Sequence, residues 1–247
     1  MHAFAKLTFV QFKLFLREPL AFFFTLVFPL LLLLLYGLIW GNEPGSAFFG
    51  GPFGYIDTEV PALAAIIIGT VAFMSIPIAV ASARERKELR RLRASPLRPS
   101  AYFAADVAVY LSVCTLAMAL VIVVGRLAFD LRFAGNWLAL MTGFLLCALA
   151  FVAFGYLIAS VAPTSRAAQV VGQVLFFPMM FLSGATLPLL IMPEGVQKVA
   201  EKLPLTFVVT LLQGLWFGRG WDTAAVWLMV VMLGVGAFVS ARLFRWE

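Results

Sequence analysis

Apolar residues in this chain do not alternate with polar ones. They come in long unbroken runs joined by short polar links. Residues 20–40 carry no charge at all, and further runs cover 62–83, 101–125, 137–161, 168–187 and 221–241. Each is close to the ~20 residues a helix needs to cross about 30 Å of hydrocarbon. A β-barrel would instead show alternating segments of about ten residues. The pattern therefore predicts an all-α polytopic membrane protein of six spans. Pro29, Pro77 and Pro178 fall inside spans 1, 2 and 5, where neighbouring helices can satisfy the carbonyls a proline frees.

The links carry their own patterns. In residues 1–19, Lys6, Lys13 and Arg17 are spaced i, i+7, i+11, within about 40° on a helix. Phe4, Leu7, Phe12 and Phe15 cover much of the rest, and Glu18 closes the segment. This predicts an interfacial helix with its basic face toward anionic membrane lipids. Residues 41–61 form a loop rich in Gly, Pro and Phe, without Lys or Arg, flanked by Trp40 and Tyr55 as interfacial aromatics. Gly37 and Gly41 make a GxxxG at the end of span 1, a weak packing signal. The run RERKELRRLRASPLRP, 84–99, predicts a helix over 83–94. Glu88 and Arg91 stand i, i+3, Leu89 and Leu92 share a face, and Pro96 and Pro99 stop it. Ser100 is the expected N-cap of span 3. A short amphipathic helix starts at Pro193 and ends at Pro204. The apolar 205–217 is too short to span and reads as a re-entrant or interfacial piece.

Composition sharpens this picture. The chain has 247 residues, 63% hydrophobic and 12% charged, with mean hydropathy +1.02; a soluble domain is about half apolar and a quarter charged. The net charge of +6 matters less than its placement. With six spans, both termini share a side, and thirteen of the 18 Lys+Arg fall there, seven of them in the 84–98 run. Five lie on the other side. The positive-inside rule puts the termini and the basic run in the cytoplasm. No cleavable leader is expected in 1–19, because the apolar stretch that follows is too long and no A-x-A-like site closes it.

Candidate chemistry is sparse. The one histidine is His2, so a Ser–His dyad or His-rich metal site has nothing to be built from. Cys114 and Cys147 sit in apolar runs without metal spacing and read as small buried hydrophobes. Asp106, in the second turn of span 3, is a functional candidate as an ionisable group in a span. The favoured alternative is an acid stabilised near the interface by the helix dipole. Phe73, Met74, Phe176, Phe177, Met179 and Met180 offer a soft apolar surface suited to an amphiphilic substrate; core packing or lipid contact is the plainer reading of the same six. No GxxxxGK[ST] occurs, so the chain has no loop of its own to cradle ATP phosphates.

Two stretches, ARERKELRRLRASPLRP and FPMMFLSGATLPLLIMPEGVQKVAEKLPLTFVVTLLQGLWFG (177–218), resemble the ABC-2 type permease family, and REPLAFFFTLVFPLLLLLLYG is similar to its opening. Glu85, Leu89, Leu92, Ser95 and Pro96 match the family pattern; Lys87–Glu88 stand where Gly-Thr usually sits. The resemblance implies one permease domain over 1–247 in a bacterial inner membrane, working as a dimer with a cytoplasmic ABC ATPase that binds ATP and Mg. It also implies a connecting helix at 1–19, a coupling helix at 84–96 and extracellular re-entrant helices at 188–218. Glu85, Arg86, Leu89, Arg90, Arg91, Leu92, Ser95 and Pro96 would face the ATPase. The expected activity is export of a drug or lipid-like compound, with no cofactor in this chain and no nucleic acid partner. Export of a lipid-linked polysaccharide is the alternative. A secondary transporter would want more intramembrane charge and internal repeats, and an intramembrane enzyme would want a clustered acid or nucleophile–base pair.

Overall fold

The computed structural model describes residues 2–45, 52–88, 99–186 and 192–243. Among them the regular structure is helical, and six helices are long and apolar enough to cross a membrane. An amino-terminal helix, His2–Leu16, precedes span 1, Pro19–Trp40. Span 2 is Tyr55–Glu85, span 3 lies within the helix Pro99–Phe129, span 4 is Trp137–Val161, and span 5 is Ser165–Leu182. Two short helices, Glu194–Ala200 and Pro204–Trp216, lead to span 6, Thr223–Leu243.

Span 2 is the axis of the fold, with 89% of its apolar window buried, against 28% for span 1, 22% for span 5 and 17% for span 6. The outer spans therefore leave apolar surface for lipid or another chain, as a helix in a bilayer must. The helix Pro204–Trp216 packs on spans 2 and 4 through Leu205, Val208, Leu212, Leu215 and Trp216. It is apolar but only 13 residues long, as its sequence predicted.

Two of the three prolines expected inside spans, Pro29 and Pro77, share a local setting. Phe23–Val27 in span 1 and Val71–Ser75 in span 2 are π-helical turns, each ending two residues before its proline (Pro29, Pro77). Proline has no N–H and its ring crowds the carbonyl four residues back, and widening the preceding turn relieves both. The turn in span 2 is then gripped from two sides. A Cβ added at Gly155 of span 4 would collide with the carbonyl oxygen of Ala72, and one at Gly172 of span 5 with that of Phe73. These small residues let three backbones approach closely.

Several expected boundaries move. Span 2 starts at Tyr55, not at 62, so the preceding loop is shorter than 41–61 and two acids enter the helix. Asp57 makes this workable: its carboxylate accepts the Gly54 N–H at 2.8 Å, capping the helix it stands in. Gly41 takes φ +64° to end span 1, a conformation glycine adopts without a Cβ penalty. Its helical partner Gly37 instead receives the ring of Phe129 from span 3. Of the helix expected over 83–94, residues 83–85 form the end of span 2, and the chain then turns at Lys87, φ 58°. Residues 89–98 lie outside the described residues. The helix that holds span 3 already includes Pro99 and Ser100, so Ser100 is inside the helix rather than its cap. Pro204 opens the second short helix; proline favours the first helical position. The two cysteines are buried free thiols in the core.

Candidate functional site

Polar chemistry gathers at the two ends of the bundle. The terminal end, where the chain termini lie, is built from the tail of span 2 and the turn between spans 4 and 5. Arg84 donates through Nη2 to the Ala159 carbonyl at 2.8 Å and through Nη1 to that of Ala162 at 3.0 Å. The Glu85 carboxylate accepts the Ser165 N–H at 3.0 Å and its hydroxyl at 2.8 Å. Arg86 pairs with Glu88 at 3.0 Å, both well exposed.

Between the amino-terminal helix, span 2 and span 3 lies a polar cavity of about 280 Å³ whose lining includes Gln11, Arg17, Glu18, Arg86, Tyr102 and Asp106. Burial pushes the Glu18 carboxyl above its ordinary pKa, and the nearby Arg86 guanidinium partly opposes this. Asp106 is buried and accepts a hydrogen bond from the Tyr156 hydroxyl of span 4. It is thus held by a specific partner across the bundle, which a dipole at the interface does not require. A second crevice, of about 270 Å³, separates span 1 from spans 2 and 5. Leu20 and Phe24 form one wall; Met74, Ser75, Gln169 and Gln173 form the other. The Ser75 hydroxyl is buried here without a hydrogen-bond partner among the described residues.

At the distal end Asp57, fully buried, is the centre of a clasp. Besides Gly54 it accepts from Asn42 Nδ2 at 2.9 Å and from the Arg132 backbone N–H at 2.8 Å. The Arg132 guanidinium lies 3.8 Å away. Asn42 also donates to the Phe129 carbonyl at 2.9 Å. The indole N–H of buried Trp216 donates to the Arg132 carbonyl at 3.1 Å, and Gln213 donates to the Thr58 carbonyl at 3.3 Å. The clasp joins span 1, span 2, the 129–136 link and the helix Pro204–Trp216.

The candidate residues fall unevenly on this frame. Glu85 and Arg86 stand at the terminal end. Leu89, Arg90, Arg91, Leu92, Ser95 and Pro96 lie outside the described residues, as does the side chain of Lys6. Lys13 and Arg17 are exposed and Glu18 is half-buried. Of the apolar six, Phe73, Met74, Phe176 and Met180 are buried, while Phe177 and Met179 are half-buried. Phe73 stacks on Phe176 at 6.2 Å and meets Phe151 edge-on at 5.9 Å; these two rings fill the core. Only Met74 of the six lines the crevice. Sequence reasoning missed Asn42, Asp57, Gln169 and Gln173. An Asp and a Gln pair at i, i+4 inside otherwise apolar runs were the available signals.

Six apolar spans, with crevices at one end and a clasp at the other, define a multi-pass membrane protein. Residues 2–217 match the family model ABC-2 type transporter, and the chain belongs to that family, whose members are the membrane subunits rather than the ATPases of ABC transporters. It is 25% identical over 191 residues to the probable multidrug ABC transporter permease YbhR of Escherichia coli K12, covering 75% of this chain and 51% of that protein. It is 34% identical over 102 residues to nodulation protein J of Bradyrhizobium diazoefficiens, covering 40% of this chain and 39% of that protein. The chain thus spans about half the length of YbhR.

Proposed function

We infer that this chain is the membrane-embedded half of an ATP-driven exporter, powered by a separate cytoplasmic ATPase that binds ATP and Mg. One observation carries the reading. Span 2, the most buried helix, runs from the distal clasp at Asp57 through its π-helical turn to Glu85, where the basic loop begins. A displacement applied to that loop is therefore delivered to the interior of the bundle. The loop 84–96 is the handle on which the ATPase acts, with Leu89 and Leu92 facing it, and the basic amino-terminal helix braces it at the membrane surface. Both termini face the cytoplasm of a bacterial cell. The low burial of spans 1 and 5 suits a second permease copy, alike or different, against them.

The crevice between span 1 and spans 2 and 5 is the entry path. Met74 and Phe24 suit an apolar moiety, and Ser75, Gln169 and Gln173 suit a hydrogen-bonding head group. The cargo is an amphiphile, drug or lipid-like, leaving the cytoplasm or the inner leaflet; the YbhR likeness supports this choice. Affinity purification from native membranes should bring down a stoichiometric chain carrying GxxxxGK[ST], and a cysteine at Arg90 should crosslink to it. Absence of such a chain, with no crosslink under any nucleotide condition, would overturn the reading.

A further inference from the structure

Arg84 and Glu85 are adjacent in sequence, yet they serve two different helix ends. Arg84 places its cation on the carbonyl of Ala159 in the last turn of span 4 and on that of Ala162, its C-cap, at 2.8 and 3.0 Å. That is the negative end of the helix dipole. Glu85 places its anion on the first turn of span 5, at the N–H and hydroxyl of Ser165, 3.0 and 2.8 Å away. That is the positive end. The order of charge, plus then minus, matches the order of the two helix ends. Directly beneath, Ala81 of span 2, Ala162 of the turn and Ala168 of span 5 form their own small buried cluster, so three backbones meet closely. Two residues later the chain turns away at Lys87, φ 58°.

We propose that Arg84 and Glu85 are positioning residues, a clamp that makes the tail of span 2 and the turn between spans 4 and 5 one rigid unit. A stroke on the basic loop then moves spans 2, 4 and 5 together against span 1, instead of bending span 2 alone. This rests on the ATP-driven reading above. Its geometric consequence is specific. The crevice has span 1 on one wall and spans 2 and 5 on the other, so joint motion changes its width without separating spans 2 and 5.

The test uses spin-label pairs in the permease–ATPase complex reconstituted in lipid. One pair, at Lys87 and Arg166, bridges the clamp; the other, at Leu20 and Arg166, bridges the crevice. Trapping with ATP, Mg and vanadate should shift the crevice pair by about 5 Å and leave the clamp pair narrow and unmoved. Arg84→Ala should broaden the clamp pair even without nucleotide, and Arg84→Lys, able to reach one carbonyl, should give an intermediate width. A clamp pair that shifts as far as the crevice pair in the otherwise unaltered protein overturns the proposal. So does an Arg84→Ala variant as narrow as its parent. If neither pair responds to nucleotide, the ATP-driven reading itself falls and takes the joint stroke with it.

Discussion

The two ends of this bundle handle buried charge in opposite ways. At the distal end Asp57 is fully buried, and its two carboxylate oxygens take three hydrogen bonds, from Gly54, Asn42 and Arg132, at 2.8–2.9 Å. The aromatic rings of Phe133, Trp137 and Trp216 close over the neighbouring link. At the terminal end Asp106 is buried with one hydroxyl donor, that of Tyr156, while Glu18 and residues 84–88 are exposed or half-buried, and crevices of about 270 and 280 Å³ run in among them. A saturated acid in a dry setting resists any change of partners, because each lost bond leaves a buried group unsatisfied. Hydrated charges beside open space exchange partners at little cost. The distal end is thus the stiffer one, and the terminal end is where movement is cheap.

Substitutions can break that contrast or sharpen it. The largest effect should come from Asp57→Ala, which strands three donors and the Arg132 guanidinium. A loss of about 3 kcal/mol is expected, because each buried donor left unsatisfied costs on the order of 1–3 kcal/mol. It would appear as a much lower melting temperature of the detergent-solubilised protein, and a change near zero would remove the clasp from the account. Next comes Gly172→Ala. Its Cβ would overlap the carbonyl of Phe73, so spans 2 and 5 must part, at about 1–3 kcal/mol. Equal stability of variant and parent would show that the π-helical turn yields freely.

The smallest effect belongs to the terminal end. Burial raises the Glu18 pKa, so the folded state holds its proton more tightly than the unfolded chain does. Its contribution is then fully present below the ordinary carboxylate pKa and is lost as pH rises through the raised value. Glu18→Gln should therefore raise the melting temperature at neutral pH and leave it unchanged in acid. The gain should be below about 1 kcal/mol, because the group is partly exposed and solvent screens it. A destabilised variant at neutral pH would mean that Glu18 is held by a partner rather than penalised by burial.

Much of the fold was legible along the chain, because a bilayer allows few solutions. A run of about 20 apolar residues must be a helix that satisfies its own backbone, and span 4 falls on the predicted 137–161 for that reason. The acids of span 2 misled: Asp57 and Glu59 looked like loop residues, and what admits Asp57 to a buried helix is a set of donors that includes groups from elsewhere in the chain. The apolar six were legible as apolar but not as to role. Phe73 and Phe176 carry the same character whether they face cargo, lipid or each other.

What the amino-acid order alone determined was the number of spans, a short apolar segment at 205–217, and where along the chain the charged runs fall. Each follows from length, periodicity or charge within one segment. Only the tertiary structure decided that span 2 is the axis, that glycines of spans 4 and 5 seat its π-helical turn, that Asp57 is a knot, and that Arg84 and Glu85 hold the turn between spans 4 and 5. Most of those are pairings between segments 75 or more residues apart, and a one-dimensional pattern does not record which polar group meets which.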